Sequence, residues 1–140
     1  MTLDWFEETL LNYPRIAIAG GPRCGKTTLS NRVLDRKVYH TDDYKEIGWS
    51  EASRYVCALI NEHQGPMVVE GVAVPCALRK GMLVDAVIWL DTPLTSINRH
   101  HRAMRDGCET VMTEVRQTMT AKWFFVPVGQ LKKAIRSDGP

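Results

Sequence analysis

A glycine-rich stretch directly after an apolar run constrains the fold of this chain more than any other feature. Residues 20 to 28 read GGPRCGKTT, and residues 15 to 19, just before them, read RIAIA. The short apolar run predicts a buried strand over 15–19, and the segment after the glycines predicts a helix over 27–35. Glycine permits backbone conformations that other residues avoid, so it suits a tight loop between the two. The stretch therefore predicts a strand, a loop and a helix in succession.

The rest of the chain continues this alternation of strands and helices. Periodicity and turn residues predict further strands at 37–40, 67–70 and 84–91, and helices at 3–11, 51–62, 75–80, 94–105 and 109–122. Ser50 is predicted to cap the helix over 51–62, DGC to separate the last two helices, and WFFVPVGQLKKAIR to hold a last strand and helix. Strands separated by helices imply crossover connections and a parallel sheet covered on both faces, so the predicted fold class is α/β.

Composition predicts one domain and excludes several classes of protein. The chain has 140 residues, of which 44% are apolar, enough for a single domain over residues 1–140. No apolar stretch approaches the roughly 20 residues that cross a bilayer, and the acidic start MTLDWFEE is unlike a signal peptide, so we expect a cytoplasmic protein with no membrane partner. Four scattered cysteines predict neither a zinc site nor a disulfide framework. A net charge of +2 does not favour nucleic acid as a partner.

The glycine-rich stretch matches a phosphate-binding pattern. Gly20, Gly25, Lys26 and Thr27 satisfy GxxxxGK followed by Ser or Thr, between a predicted strand and a predicted helix as the pattern requires. In such a loop the backbone N–H groups surround phosphate oxygens, the lysine reaches the β and γ phosphates, and the threonine hydroxyl ligates Mg²⁺. The predicted nucleotide-binding residues of the loop are Gly20, Gly21, Pro22, Arg23, Cys24, Gly25, Lys26, Thr27 and Thr28. The chain has no NKxD motif, which Ras-type GTPases use to read the base, and no DE pair after a hydrophobic strand, which a remodelling ATPase would need. The remaining interpretation is a transfer of a phosphoryl group to a small acceptor.

Together with HTDDYKEIGW, VVEGV and INRHHRAMRDG, this loop resembles the P-loop kinases of nucleosides, nucleotides and other small hydroxylic substrates. That superfamily also contains polynucleotide kinases and zeta toxins. The resemblance covers most of residues 15 to 105. It implies a three-layer fold with a parallel sheet of strand order 2-3-1-4-5, an ATP site on the loop, and a small arginine-bearing lid over about residues 94–110.

Two aspartates follow the second predicted strand. Asp42 and Asp43 in HTDDYK would emerge at the carboxyl end of that strand, where ligands bind in open α/β sheets. A carboxylate there accepts the proton of an acceptor hydroxyl as it attacks the γ-phosphate, or positions that hydroxyl. In similar kinases the first aspartate of such a string faces the acceptor, which makes Asp42 the expected base. The alternative is that both aspartates serve only a local turn and helix cap.

A third acid ends the strand that is predicted over 67–70. In the strand order that the resemblance implies, this strand lies beside the loop strand, so Glu70 resembles the acidic residue that holds a Mg²⁺-bound water. Asp91 ends another apolar strand and is the competing candidate. The predicted metal-binding residues are therefore Thr27 and Glu70, with turn capping as the alternative role for Glu70.

Three arginines at three-residue spacing lie on adjacent parts of one predicted helix face in INRHHRAMRDG. Such a row can close over a triphosphate and neutralise the charge that develops during transfer. By the resemblance, Arg102 and Arg105 are the expected catalytic arginines, and Arg99 is an additional nucleotide contact. A solvated basic face is the alternative.

The sequence thus predicts an ATP- and Mg²⁺-dependent kinase with Lys26, Asp42, Arg102 and Arg105 as its catalytic residues. The predicted partner is a small-molecule acceptor, a nucleoside, nucleotide or sugar, that is phosphorylated on a hydroxyl or phosphate group. Two alternatives stay open. One is a kinase of polynucleotide 5′-hydroxyl ends or of the toxin type, and the other is an ATP-binding regulatory module without kinase activity.

Overall fold

The computed structural model describes residues 3–21, 25–91, 98–127 and 131. Its elements in chain order are α1 (Asp4–Asn12), β1 (Arg15–Gly20), α2 (Lys26–Ser30), β2 (Lys37–His40), a 3₁₀ helix (Thr41–Ile47), α3 (Trp49–Glu62), β3 (Met67–Glu70), α4 (Val74–Arg79), β4 (Ala86–Asp91), α5 (Arg99–Arg116) and β5 (Lys122–Pro127). Strands and helices alternate along the described chain, as the sequence predicts.

Five strands of the described chain form one parallel sheet. Their order across the sheet is β2-β3-β1-β4-β5, and every neighbouring pair is parallel. The predicted α/β class is therefore confirmed, and the strand order equals the one that the resemblance implies. In the register, Glu70 of β3 lies opposite both His40 of β2 and Ile18 of β1. The strands therefore reach one common edge of the sheet with their carboxyl ends.

Helices cover both faces of the sheet, an arrangement compatible with three layers. On one face, called the α2 face here, Phe6 of α1 and Leu29 of α2 pack in one cluster with Val68 of β3. On the opposite face, the α5 face, Met112 of α5 packs in one cluster with Val69 of β3, and α3 and α4 contribute to the same cluster. Because successive strand residues point to opposite faces, each strand contributes alternate side chains to the two clusters.

Helix α5 runs unbroken where the sequence predicts two helices. It spans Arg99–Arg116 and passes through the residues DGC at 106–108. A glycine inside a helix costs only about 1 kcal/mol relative to alanine. Burial of Met112 and the 2.7 Å ion pair between Arg105 and Glu109, which spans the glycine, outweigh that cost. The predicted break at DGC is therefore wrong. Among the described residues, no helix is long and apolar enough to cross a membrane.

Helix α2 is shorter than predicted because the chain turns away early. The helix spans Lys26–Ser30, and N–H groups of Arg32 and Val33 then close two turns of the i to i+3 type. The Arg36 guanidinium donates a 2.6 Å hydrogen bond to the carbonyl oxygen of Leu10, near the end of α1. This contact ties the start of β2 to α1, so the helix ends before residue 35.

Helix α3 begins at Trp49, two residues earlier than a cap at Ser50 would allow. Gly48 precedes the helix with a φ of +91°, in a region of backbone space that favours glycine. Ser50 lies inside the first turn of the helix. Its predicted capping role is therefore wrong, because the backbone turn at Gly48 sets the helix start.

Candidate active site

Three of the predicted site segments meet at the carboxyl edge of the sheet. The neighbouring strands β2, β3 and β1 end at His40, Glu70 and Gly20. The 3₁₀ helix that contains Asp42 follows β2, a tight turn follows β3, and the glycine-rich loop follows β1. Parallel strands bring these segments together because their carboxyl ends share one edge, where open α/β sheets bind ligands.

The side chain of Lys26, at the start of α2, contacts Gly21 at the beginning of the glycine-rich loop. Lys26 is 8% exposed, and its Nζ donates a 2.6 Å hydrogen bond to the carbonyl oxygen of Gly21. Gly25 has a φ of +95°, a backbone conformation that residues other than glycine rarely adopt. A Cβ at this position would lie 3.0 Å from Leu131 Cδ2. Gly21 lies against α5, where a Cβ would approach Arg105 Cβ to 2.9 Å. Glycine is therefore favoured at Gly25 by its backbone conformation and at Gly21 by the close approach of α5.

The other predicted loop residues flank Lys26 or lie outside the described chain. Gly20 is the last residue of β1 and is buried, whereas Thr28 is exposed in α2. Pro22, Arg23 and Cys24 lie outside the described residues. Nucleotide binding by the loop stays a prediction.

Glu70 joins the start of α2 to the second strand. Its side chain is buried, and its Oε1 lies 2.6 Å from His40 Nδ1 and 3.5 Å from Thr27 Oγ1. Glu70 has the same strand parity as Val68, so its carboxylate points to the α2 face. An ionised carboxylate is costly to bury without such partners. The structure thus brings together Thr27 and Glu70, the two predicted metal-binding residues.

His40 is a site residue that sequence reasoning missed. It ends β2, two residues after Val38, which packs on the α2 face. Strand parity therefore places His40 on that face as well. The missing information was the register that sets His40 opposite Glu70, which no local pattern in the sequence specifies.

The turn after β3 is packed too tightly for a side chain at Gly71. Gly71 has a φ of +142°, and a Cβ there would lie 1.8 Å from Thr41 Oγ1. Thr41 is fully buried, and its hydroxyl accepts a 3.4 Å hydrogen bond from the N–H of Ala73. These contacts tie the start of the 3₁₀ helix to the turn after Glu70, so Asp42 is held at the same edge of the sheet.

Both predicted aspartates, Asp42 and Asp43, are exposed in the first turn of the 3₁₀ helix. The next residue, Tyr44, packs against Tyr55 of α3 with ring centroids 5.1 Å apart. Burial raises the pKa of the Tyr44 hydroxyl, and the Tyr55 hydroxyl and the Asp43 carboxylate raise it further. The acidic pair therefore lies beside an aromatic pair, and the choice of Asp42 as the base stays a prediction.

Asp91, the competing acid, is engaged on the other side of β1. Its Oδ1 lies 3.3 Å from Nη2 of Arg105, whose Nη1 contacts Asp106 at 3.0 Å and Glu109 at 2.7 Å. Burial alone would lower the pKa of the Arg105 guanidinium, but its hydrogen bond to Asp106 and the nearby carboxylates raise that pKa above its ordinary value. Asp91 therefore belongs to a cluster of charges around one arginine of α5.

The other two predicted arginines, Arg99 and Arg102, are exposed near the start of α5. Asn98 caps this helix, since its side chain accepts a 2.8 Å hydrogen bond from the N–H of His101. All three arginines lie on one helix, as predicted. The preceding residues 92–97 lie outside the described chain, so the predicted lid is described only from residue 98.

No protein-family model matches the chain, and no curated protein matches it in sequence.

Within the described part of the chain, no three His, Cys, Asp or Glu side chains are grouped so that they could hold a metal ion. Thr27 and Glu70 fit Mg²⁺ in a different way, because this ion is usually bound by one or two protein oxygen ligands together with phosphates and water. Their oxygens are thus of the kind that binds Mg²⁺ as part of a nucleotide complex.

Proposed function

We propose that this chain is an ATP- and Mg²⁺-dependent phosphotransferase that transfers the γ-phosphate to a hydroxyl or phosphate group of a small acceptor. The expected acceptors are nucleosides, nucleotides and sugars. The proposal is carried by the approach of Thr27 Oγ1 to 3.5 Å from the buried carboxylate of Glu70, directly after Lys26 of the glycine-rich loop. A hydroxyl and a carboxylate beside such a loop form the protein part of a Mg²⁺–nucleotide site.

The glycine-rich loop holds the triphosphate in this proposal. Its backbone N–H groups donate to phosphate oxygens, as glycine permits in a tight loop. Lys26 Nζ lies 2.6 Å from the carbonyl oxygen of Gly21 and exchanges this contact for a phosphate oxygen. The exchange is favourable because a cation interacts more strongly with an anion than with a carbonyl dipole, the more so where water is excluded.

Thr27 and Glu70 form the metal side of the site. The Thr27 hydroxyl would serve as a direct ligand of Mg²⁺, and the Glu70 carboxylate would accept hydrogen bonds from water bound to the ion. Bound Mg²⁺ would neutralise charge on the β- and γ-phosphate oxygens. Glu70 is buried at the end of β3, so its carboxylate lies at the carboxyl edge of the sheet beside Thr27.

Asp42 serves as the base for a hydroxyl acceptor. As the acceptor oxygen attacks the γ-phosphorus, a new O–P bond forms and the bond to the leaving ADP oxygen breaks. The hydroxyl proton passes to the Asp42 carboxylate. Asp42 is exposed at the edge where Glu70 lies, so an acceptor can reach it. An acceptor phosphate attacks without losing a proton and needs Asp42 only for positioning.

Arg99 and Arg102 complete the proposed site from α5. Both are exposed, and cationic side chains neutralise the charge that spreads over the transferring group. Arg105 takes the same role only if it gives up contacts to its carboxylate partners, which are Asp91, Asp106 and Glu109. Arg102 and Arg105 stay the expected catalytic arginines.

An acceptor screen with γ-labelled ATP and Mg²⁺ tests the proposal. It covers nucleosides, nucleotides, sugars and 5′-hydroxyl oligonucleotides, and label on one class of small acceptor supports the proposal. Lys26→Ala should abolish the transfer. Asp42→Asn should slow transfer to a hydroxyl acceptor by about 10²–10⁴-fold, whereas Asp43→Asn, the matched control one residue away, should stay near wild type.

Two other results of the screen would contradict the proposal. Label on oligonucleotide ends, with binding that falls steeply as salt rises, would identify a polynucleotide kinase. Slow release of phosphate without any acceptor, unchanged in Asp42→Asn, would identify an ATP-binding regulatory module.

A further inference from the structure

The contact between His40 and Glu70 has no part in the chemistry proposed above, in which Glu70 acts without the histidine. His40 Nδ1 lies 2.6 Å from Glu70 Oε1, with the His40 side chain 33% exposed and the Glu70 side chain 5% exposed. The two residues are register partners on neighbouring parallel strands. The backbone of the sheet therefore sets this contact, and it is a fixed feature of the carboxyl edge.

The proposed metal role of Glu70 sets the direction of this hydrogen bond. A carboxylate that serves Mg²⁺ is ionised and only accepts hydrogen bonds, so in the proposed site His40 Nδ1 donates to Glu70 Oε1. A hydrogen bond to a charged acceptor is shorter and stronger than one between neutral groups, in keeping with the 2.6 Å separation. Thr27 Oγ1 approaches the same carboxylate oxygen at 3.5 Å. The histidine thus anchors the oxygen that the threonine hydroxyl faces.

Glu70 needs such an anchor if it is to serve a metal. A glutamate side chain has three rotatable bonds and loses much conformational entropy when it is fixed. The hydrogen bond from His40 favours the rotamer in which Oε1 approaches Thr27. Groups that hydrogen-bond a metal-binding side chain orient it and raise the affinity for the metal.

We propose that His40 is a positioning residue that holds the Glu70 carboxylate toward Thr27 and thereby sets the Mg²⁺ dependence of nucleotide binding. This role rests on the proposed function, because it takes Thr27 and Glu70 as the metal side of the site. Without His40, the carboxylate keeps its place on β3 and loses its orientation. Removal of the histidine therefore weakens the metal-dependent part of nucleotide binding and spares the part that the loop contributes.

The experiment is a titration of Mg²⁺ into the full chain at a fixed concentration of the fluorescent N-methylanthraniloyl derivative of ATP. Wild type is compared with His40→Ala and Glu70→Gln. The matched control is His63→Ala, which removes another histidine that is hydrogen-bonded through Nδ1, here to the Tyr39 hydroxyl at 2.7 Å. His40→Ala should raise the half-saturating Mg²⁺ concentration about tenfold and leave binding in EDTA unchanged. His63→Ala should match wild type in both conditions.

A conservative replacement separates positioning from stability. The amide nitrogen of asparagine can take the place of Nδ1, whereas that of glutamine reaches the place of the other ring nitrogen. His40→Asn should therefore regain most of the wild-type Mg²⁺ response, and His40→Gln should not. Thermal unfolding is recorded for each variant, and if His40→Ala does not fold, the asparagine and glutamine variants carry the comparison.

The possible outcomes separate this role from the proposed function. A wild-type Mg²⁺ response in His40→Ala or His40→Gln, with that response lost in Glu70→Gln, would overturn the positioning role and leave the proposed function standing. Equal losses in His40→Asn and His40→Ala would also overturn it, because the hydrogen bond would then not be the cause. A wild-type chain that binds no ATP derivative, with or without Mg²⁺, would overturn both.

Discussion

Two acids end apolar strands on either side of β1, and their surroundings differ. Glu70 of β3 is buried and contacts His40 and Thr27. Asp91 of β4 has a side chain that is 40% exposed and contacts Arg105 of α5. The Glu70 side of β1, where β3 lies, is therefore held by close packing. The Asp91 side of β1, where β4 lies, is held by charge pairs near the surface. In the sequence, the two acids are alike, since each closes an apolar run beside the loop strand.

Strand parity explains the difference. Glu70 comes two residues after Val68, which packs on the α2 face, and Asp91 comes two residues after Trp89, which packs on the α5 face. An acid on the α2 face meets Thr27 at the start of α2, whereas an acid on the opposite face meets α5. The face to which each acid points thus separates Glu70 from Asp91, although both acids end strands that lie next to β1.

The largest expected effect tests the close packing on the Glu70 side. Gly71→Ala should lower the free energy of unfolding by about 3 kcal/mol, because the new Cβ would lie 1.8 Å from Thr41 Oγ1 and the φ of +142° disfavours side chains. Gly81→Ala is the matched control, since Gly81 has a φ of +104° and nothing within 4 Å of its added Cβ. It should cost about 1 kcal/mol. Urea unfolding measures both values, and equal losses would show that the turn is not closely packed.

The next effect tests which acid serves the metal. Glu70→Gln should raise the Mg²⁺ concentration needed for ATP binding by about 10–100-fold, because an amide lacks the charge of the carboxylate that holds the metal-bound water. Asp91→Asn should leave that concentration near its wild-type value, since Asp91 contacts Arg105. Calorimetric titration of ATP at several Mg²⁺ concentrations distinguishes the two variants. The reverse pattern would put the metal on the β4 side.

The smallest expected effect tests the charge pairs on the Asp91 side. Arg105→Ala should lower the free energy of unfolding by about 1 kcal/mol, because Arg105 is 16% exposed and contacts three carboxylates. Arg54→Ala should cost about 0.3 kcal/mol, since Arg54 is 69% exposed and forms one pair with Glu51. The loss of unfolding free energy in Arg105→Ala should be smaller in about 1 M NaCl, because salt at that concentration strongly screens surface charges. A loss that does not respond to salt would mean that packing, and not charge, holds α5 here.

Local patterns predict most of the fold, and they fail where tertiary contacts outweigh them. Apolar residues bounded by turns predict β2 and β3 at 37–40 and 67–70, and both strands are confirmed. The predicted break at DGC is wrong because packing of α5 on the sheet offsets the low helix propensity of one glycine. The predicted length of α2 is wrong because Arg36 contacts backbone oxygens at the end of α1, which no local pattern indicates.

The candidate site is predictable to the extent that it depends on strand order. Thr27 and Glu70 belong to neighbouring segments in the strand order that the resemblance implies, and the structure brings them to 3.5 Å. His40 was missed because its contact with Glu70 depends on register, and register is set by long-range packing. The roles of Asp42 and Arg102 depend on where an acceptor binds, so they stay predictions.

The metal–nucleotide complex should bind on the Glu70 side of β1, and ring-proton NMR of the histidines tests this most directly. The chain has four histidines, His40, His63, His100 and His101, and single His→Asn variants assign their signals. With ATP and paramagnetic Mn²⁺ in place of Mg²⁺, protons near the metal lose their signals. We predict that the His40 signals broaden while those of His63 persist. Broadening at His100 and His101 on α5, with sharp signals from His40, would contradict the assignment of the metal to Glu70.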